Sequence, residues 1–356
     1  MNFDYNEEQQ LLADSVRRYL QKDYGFETRK KIVASKEGWS PQVWAQLAEM
    51  GLTGLPLSAD YGGFGGGAVD LMGVMEAFGD ALVVEPYLPT VMAARLIRKH
   101  PILSAVAEGK TRLAFAHIET GARYRVGHVN AAAKKAGAGW TIDGEKKAVS
   151  GAPMADKLVV SAKADGGIAL FLVDVKDVQM KPFRALDETR AADVTLKGAK
   201  AEKLEGGLPE IEEAIDFATA LICAEAVGAM KFACDTTLEY LKTRKQFGVP
   251  IGTFQALQHR IVDMYIAYEQ AKSMACLACS KIDFSESKKD RVRSVSAAKI
   301  KISDNARLVS QEAVQLHGGM GMSEEMKVSH AFRRLTVIAE QFGGADHHLE
   351  RFASLQ

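Results

Sequence analysis

Cysteine is scarce: the 356 residues hold four, Cys223, Cys234, Cys276 and Cys279. All sit in helical-looking sequence, which excludes a secreted disulfide framework. Cys276 and Cys279 form a CxxC, but no second pair or nearby histidine cluster completes a zinc set, so no metal is expected. Net charge is missing too. Forty-five Lys+Arg balance forty-five Asp+Glu, so no global field favours nucleic acid or an anionic membrane. No run approaches the roughly twenty apolar residues of a membrane span. The opening Met1-Asn2-Phe3-Asp4 shows no basic-then-apolar signal, and a cytoplasmic protein without a membrane span is expected. Nine prolines and 31 aperiodic glycines exclude collagen-like or low-complexity chains. No GxGxxG follows a strand-like run, so a Rossmann dinucleotide fold is not supported.

What is present reads as an ordinary globular chain, 47% apolar and 25% charged, long enough for two or three packed units. Leu12, Val16, Tyr19 and Leu20 recur at helical spacing behind a capping Asn6, with Glu7 and Glu8 in the first turn. Pro41 to Met50, Ala68 to Phe78 and Pro89 to Ile97 supply further helices. After Gly109 the period shortens. Arg112 to Ile118, Trp140 to Ile142, Lys157 to Ala162, Ile168 to Val173 and Ala192 to Leu196 read as strands. Asp143-Gly144 and Gly166-Gly167 have hairpin chemistry, which predicts an antiparallel sheet, barrel-like or sandwich-like. Helical patterns return beyond Gly206-Gly207-Leu208-Pro209, at Glu210 to Thr243, Phe254 to Lys281, Lys288 to His317 and after Ala345. Four such helices predict an antiparallel bundle. Residues 1–110, 111–207 and 208–356 form three domains in this reading.

Two constellations carry chemistry. In Arg244-Lys245-Gln246-Phe247-Gly248, followed by Ile251-Gly252-Thr253-Phe254-Gln255, an arginine beside a glycine-broken turn can hold a phosphate by a forked ion pair. Taken alone, the bland alternative is a surface arginine at a helical turn. In Gln315-Leu316-His317-Gly318-Gly319-Met320-Gly321, three glycines in four residues let backbone run against a flat or anionic ligand. A plain helix stop would need only one.

Together these residues resemble the acyl-CoA dehydrogenase family of flavoproteins. Arg244-x-x-Phe247-Gly248 with Phe254-Gln255 looks like its RxxFG…FQ signature, Gln315 to Gly321 like its QxxGGxG signature, and Tyr61-Gly62-Gly63-Phe64-Gly65 like its YGGxG loop. The resemblance spans nearly the whole chain. It implies an α+β multi-domain fold with an N-terminal helical domain, a central antiparallel β-barrel and a C-terminal four-helix bundle. It also implies FAD. Arg244, Gln246, Phe247, Ile251, Phe254 and Gln255 would hold the pyrophosphate and adenine half, and Gln315, Leu316, Gly318 and Gly319 would reach the FAD of a neighbouring subunit. Asp143 to Gly151 resembles the NGxKxWITNG strand, with Ser150 at the hydroxyl position facing flavin N5 and Ala148 in place of the usual tryptophan. Glu119-Thr120-Gly121-Ala122 is similar in position to the TEPxAGSD loop, Arg123-Tyr124 replacing its Ser-Asp end, and Thr120 is carried over from it.

The reaction implied is α,β-dehydrogenation of an acyl-CoA to its 2,3-enoyl product. It needs a desolvated carboxylate to take the α-proton. Gly343 stands where most relatives place that glutamate, and Ala218 stands at the second family location. Three sources of a base remain: Asp346, Glu340 or Asp216 from a shifted backbone; His347 or His348; or a carboxylate from a partner chain. The ending Gly344-Ala345-Asp346-His347-His348-Leu349 resembles short subunits of heteromeric members of the family. Among this chain's residues Asp346 is the candidate. The partners implied are an acyl-CoA, an electron-transferring flavoprotein as acceptor, and either further copies of the chain or a homologous subunit in a heterotetramer. The competing reading is a non-catalytic companion that completes a partner's FAD site.

Overall fold

The computed structural model describes residues 5–137 and 139–355, so the opening Met1 to Asp4 lies outside the described residues. Helix α1 (Glu7–Asp23) starts where expected, with the Asn6 side chain accepting from the Gln9 amide and Gln9 returning the bond. It is followed by α2 (Phe26–Ala34), α3 (Pro41–Glu49), α4 (Ala68–Ala81), α5 (Tyr87–Arg95) and α6 (Ile102–Ala107). The strands are β1 (Leu113–Ala116), β2 (Ala132–Ala136), β3 (Gly139–Ser150), β4 (Lys157–Ala164), β5 (Gly167–Asp174), β6 (Gln179–Arg184) and β7 (Arg190–Gly207). Helix α7 (Leu208–Thr243) precedes a small hairpin, β8 (Lys245–Gln246) and β9 (Val249–Pro250). Helices α8 (Gln255–Phe284), α9 (Lys288–His317), α10 (Lys327–Glu340) and α11 (Ala345–Ala353) complete the chain. The helical, strand, helical order is the one expected.

By packing, the chain forms two compact units, and the helices of the first hundred residues divide between them. One unit holds the chain up to Arg29, Gly67–Val83 and the chain from Thr219 onward; the other holds Lys30–Gly66 and Val84–Ala218. Apolar faces decide the division, because α1 and α4 are each half of an amphipathic pair and bury Val16, Leu20, Leu71 and Val74.

In the helical unit α7 is lined by small buried residues, among them Cys223, Ala224, Ala226 and Ala229. A Cβ at Gly228 would overlap the Glu76 carbonyl, and one at Gly79 the Glu225 carbonyl, so α4 and α7 meet backbone to backbone. Contrary to the sequence expectation, α7 contains an 18-residue window apolar enough to cross a membrane. That window is 89% buried inside the protein, as in a core helix. Helix α10 is a second departure, since only one helix was expected beyond His317. Its buried Val328, Ala331, Leu335 and Ile338 follow helical spacing and carried the signal. Cys279 is a core residue whose thiol lies on the Ala220 carbonyl, and burial pushes its pKa up.

The sheet unit is a seven-stranded ladder ordered β1-β4-β2-β3-β7-β5, with β6 on β7. Strand β5 pairs with both β7 and β4, so the ladder runs back on itself around a core that includes Leu158, Val160, Phe171 and Val194. The sheet is mixed rather than antiparallel throughout: β1 runs parallel to β4, Leu113 opposite Lys157. The long excursion between them through β2 and β3 makes that direction available. The β4–β5 hairpin expected at Gly166-Gly167 forms one residue earlier, turned by Asp165 and Gly166, both at positive φ, with Gly167 opening β5. Asp143-Gly144 does not turn. It is an irregularity inside β3, and a Cβ at Gly144 would lie 2.6 Å from that of Ala131.

Candidate functional site

In the helical unit one end of the bundle gathers both sequence constellations. Arg244 leaves α7 and its carbonyl accepts the Ile251 amide at 2.8 Å, closing the β8–β9 hairpin. Phe247 (φ +54°) and Gly248 (φ +83°) form its left-handed turn, a pair of positive φ values that glycine adopts without strain. The turn holds the Phe247 ring 89% exposed, edge-on to Phe254 at 6.0 Å. The Arg244 guanidinium has no carboxylate within 4.0 Å among the described residues, and the side chains of Gln246 and Gln255 are exposed. Ile251 is half-buried in the short turn before α8.

The glycine-rich stretch arrives at the same end. His317 closes α9 with its ring stacked on Tyr240 of α7 at 4.4 Å, and Arg260 of α8 bonds Glu312 of α9. Gln315 is exposed and Leu316 buried. Gly318 and Gly319 are exposed, and a Cβ on either would meet nothing within 4 Å. His317 Nδ1 lies 2.8 Å from the Ala313 carbonyl, so Nδ1 carries the proton and Nε2 is an acceptor. That Nε2 is buried without a partner among the described residues. Burial also holds the imidazole below its ordinary pKa.

The sheet unit carries the other two cofactor candidates. Ser150 ends β3 opposite Ala191 of β7, its hydroxyl forming no hydrogen bond among the described residues. Just before it the ladder slips at Lys147-Ala148, with Ala148 at φ +49° and exposed. Asp193 holds this bulge, accepting the Ala148 amide at 3.0 Å and the Lys147 ammonium at 3.2 Å. The amide bond first, then Lys147, keeps the Asp193 carboxyl below its usual range. Thr120 is exposed on the loop between β1 and β2.

The stretch expected to supply a base is built differently from a carboxylate site. Gly343 is buried at φ +120°, and a Cβ there would lie 2.5 Å from the His347 ring and 2.8 Å from His348 Nε2. Imidazole carbon and nitrogen thus fill the space a side chain at 343 would enter. His348 is buried, its Nε2 3.2 Å from the Phe342 carbonyl and its Nδ1 3.4 Å from Ser296 Oγ. Desolvation, aided by Lys299, His347 and Arg351, brings its pKa down to about 3, so the ring is neutral. Beneath it the buried Lys299 ammonium caps the end of α10 through the Ala339 carbonyl at 3.0 Å and that of Ile338. Asp346 is exposed in the first turn of α11, and Glu340 is the exposed last residue of α10, its carboxylate against Gly344. Asp216 and Ala218 are buried on α7. Lys299 went unnoticed in the sequence although Val295, Lys299 and Ile302 share one buried helical face.

Three family models match in succession: the acyl-CoA dehydrogenase N-terminal domain over residues 6–103, the middle domain over 114–200 and the C-terminal domain over 205–353. The chain belongs to the acyl-CoA dehydrogenase family. Among relatives, FadE34 of Mycobacterium tuberculosis is 31% identical over 94% of this chain, which spans only 44% of that protein's length. The acyl-CoA dehydrogenase IpdE2 of Mycolicibacterium smegmatis is 28% identical over 97% of this chain and 98% of its own. A solved variant of the Tcur3481-Tcur3483 steroid ACAD superposes with a TM-score of 0.89 at 28% identity, covering 98% of this chain and 97% of that one. The PigA complex with FAD and proline shares the fold at 24% identity, TM-score 0.90, over 99% of this chain and 98% of its own.

FAD is the cofactor of acyl-CoA dehydrogenases, and the bundle end fits it. An unpaired guanidinium suits a pyrophosphate, two exposed aromatic rings suit an adenine, and the open glycines with the orphaned His317 Nε2 suit a ligand that brings hydroxyl donors.

Proposed function

We propose that this chain works with FAD in the α,β-dehydrogenation of an acyl-CoA thioester, in assembly with a homologous subunit that supplies the catalytic carboxylate. The observation that carries the reading is the bundle end, where Arg244 is unpaired and Phe247 is bare beside open glycine backbone. Two exposed aromatic rings beside open glycine backbone and an arginine offer a surface that a flat anionic ligand can cover. Bound FAD would supply the hydride acceptor for the β-hydrogen. Arg244 would hold the pyrophosphate by paired N–H donors, with Gln246, Phe247, Ile251, Phe254 and Gln255 around the adenine half. Gln315, Leu316, Gly318 and Gly319 would serve the partner's cofactor, and the Ser150 hydroxyl and Thr120 would face the flavin ring.

The base is the part this chain lacks at its usual places. Gly343 and Ala218 carry no titratable group, imidazole rings fill the space beside Gly343, and Asp346 is exposed to solvent in the first turn of α11. A partner carboxylate answers this, and the paired naming of the Tcur3481-Tcur3483 steroid ACAD supports it. The same relative supports a ring-bearing acyl group, for which Ala148 and Gly343 leave bulk-free positions. An electron-transferring flavoprotein is the proposed acceptor, supported by the 26% identical CarC, a subunit of the caffeyl-CoA reductase-Etf complex of Acetobacterium woodii. The cytoplasm is the proposed location.

The test is the flavin absorbance band under anaerobic addition of ring-bearing acyl-CoAs. The chain co-expressed with a homologous subunit is expected to bleach, and the chain alone to stay oxidised. Bleaching of the chain alone would place a working base within it and end the partner reading. A flavin that stays oxidised in both preparations would favour the non-catalytic companion. Arg244→Ala is expected to weaken FAD binding about ten- to a hundredfold, the value of a charged hydrogen-bonded pair, measured by fluorescence titration. Unchanged affinity would remove Arg244 from the cofactor site.

A further inference from the structure

A buried polar network lies under the loop that carries Thr120. Lys146 of β3 is fully buried, and its ammonium reaches Glu119 Oε1 at 2.8 Å, Ser161 Oγ at 3.0 Å and the His117 carbonyl at 3.2 Å. These use all the donors a lysine has. Glu119 opens the loop, and its oxygens also accept the amides at the loop's far end, Asn130 at 2.6 Å and Ala131 at 3.0 Å. One carboxylate therefore closes the loop on itself while the ammonium fastens the closure to β3. His117 ties the middle: its Nδ1 lies 2.8 Å from Ser161 Oγ, and the ring hydrogen-bonds the Val126 backbone. The proton order is consistent, with Lys146 donating to the Ser161 hydroxyl, that hydroxyl to Nδ1, and Nε2–H to the Val126 carbonyl.

Such a network is a costly way to stabilise a fold, because apolar groups of equal volume serve as well or better. Burial brings Lys146 down to about 8 and His117 down to about 4. Its geometry instead couples two places. Lys146 lies on β3 with Ser150 beyond the Lys147-Ala148 bulge, while Glu119 is the neighbour of Thr120.

We infer that Lys146, Glu119, Ser161 and His117 are positioning residues for the flavin, locking the Thr120 loop in register with the strand that carries Ser150. The inference rests on the FAD reading above. None of the four needs to touch the cofactor; they act through the two hydroxyl residues and through the rigidity of loop 119–131.

The double variant Lys146→Met/Glu119→Gln removes both charges at nearly constant volume. It is expected to keep the parent's melting temperature, to speed amide exchange in loop 119–131 about tenfold or more, and to weaken FAD about tenfold, as loss of outer support commonly does at a binding site. Exchange and affinity both unchanged would overturn the proposal, and so would faster exchange with unchanged affinity. Should the double variant not fold, Ser161→Ala cuts only the bridge between Lys146 and His117 and is read by the same two quantities. If the parent itself takes up no FAD, the cofactor reading fails, and the positioning inference falls with it even where the exchange arm shows the loop pinned.

Discussion

Arg334→Met is expected to destabilise the helical unit by about 3–5 kcal/mol, and Glu225→Leu added to it to recover most of that loss. Arg334 of α10 grips Glu225 of α7 with both fork nitrogens, Nε at 2.6 Å from Oε1 and Nη2 at 2.8 Å from Oε2. The two side chains are 10% and 6% exposed, so water cannot replace a lost partner. Removing the arginine strands a buried carboxylate, whereas removing both charges leaves no carboxylate there to strand. Urea unfolding of the two variants and the single Glu225→Leu closes the cycle. Equal loss in the single and double variants would mean that packing, not the ion pair, holds α10. The consequence reaches the candidate site, because α10 leads directly into Gln341, Phe342 and Gly343.

Acidification is expected to unfold the helical unit through His348, at a cost on the order of 4 kcal/mol between about pH 6.5 and 3.5. The sign follows from proton counting. Unfolded, the imidazole takes a proton near its ordinary value of 6.5; folded, it refuses one down to about 3. Across that interval the unfolded state binds more protons, so stability falls as pH falls. Lys299, His347 and Arg351 all oppose a positive charge there, while the Phe342 carbonyl favours it. His348→Gln keeps a donor for that carbonyl without the titration. Its stability should lose less than the parent's over the same pH range, and the difference between the two cancels the background of ordinary carboxylates. Parallel curves for parent and variant would show that His348 is not the titrating group.

Much of the architecture was legible because it rests on local rules. The Asn6 cap, the Gly206-Gly207 boundary before α7 and the Lys288 to His317 helix all lie where capping chemistry and period place them. Motif spacing carried the family, since three signatures must fall on the right elements at once. The errors share a cause. Asp143-Gly144 has the composition of a turn, yet that glycine serves a close approach of β3 to Ala131, a neighbour that local chemistry does not reveal. The parallel β1–β4 pairing likewise depends on where a distant strand finds room. Lys299 and Lys146 carry no signal of burial in the sequence because charge ordinarily means exposure, and only their three-dimensional partners reveal a cap and an anchor.

By itself the sequence determined the family and the order of helical and strand segments, and it singled out the candidates proposed to meet a pyrophosphate, because each depends on residue types at fixed short spacing. Tertiary structure decided what those residues are free to do. It left Arg244 at the bundle end without a carboxylate partner among the described residues, closed the space beside Gly343 with two imidazoles, kept Asp346 in solvent and tied the Thr120 loop to β3. Burial, charge pairing and desolvation are properties of neighbours far apart in the chain, and they set pKa and access.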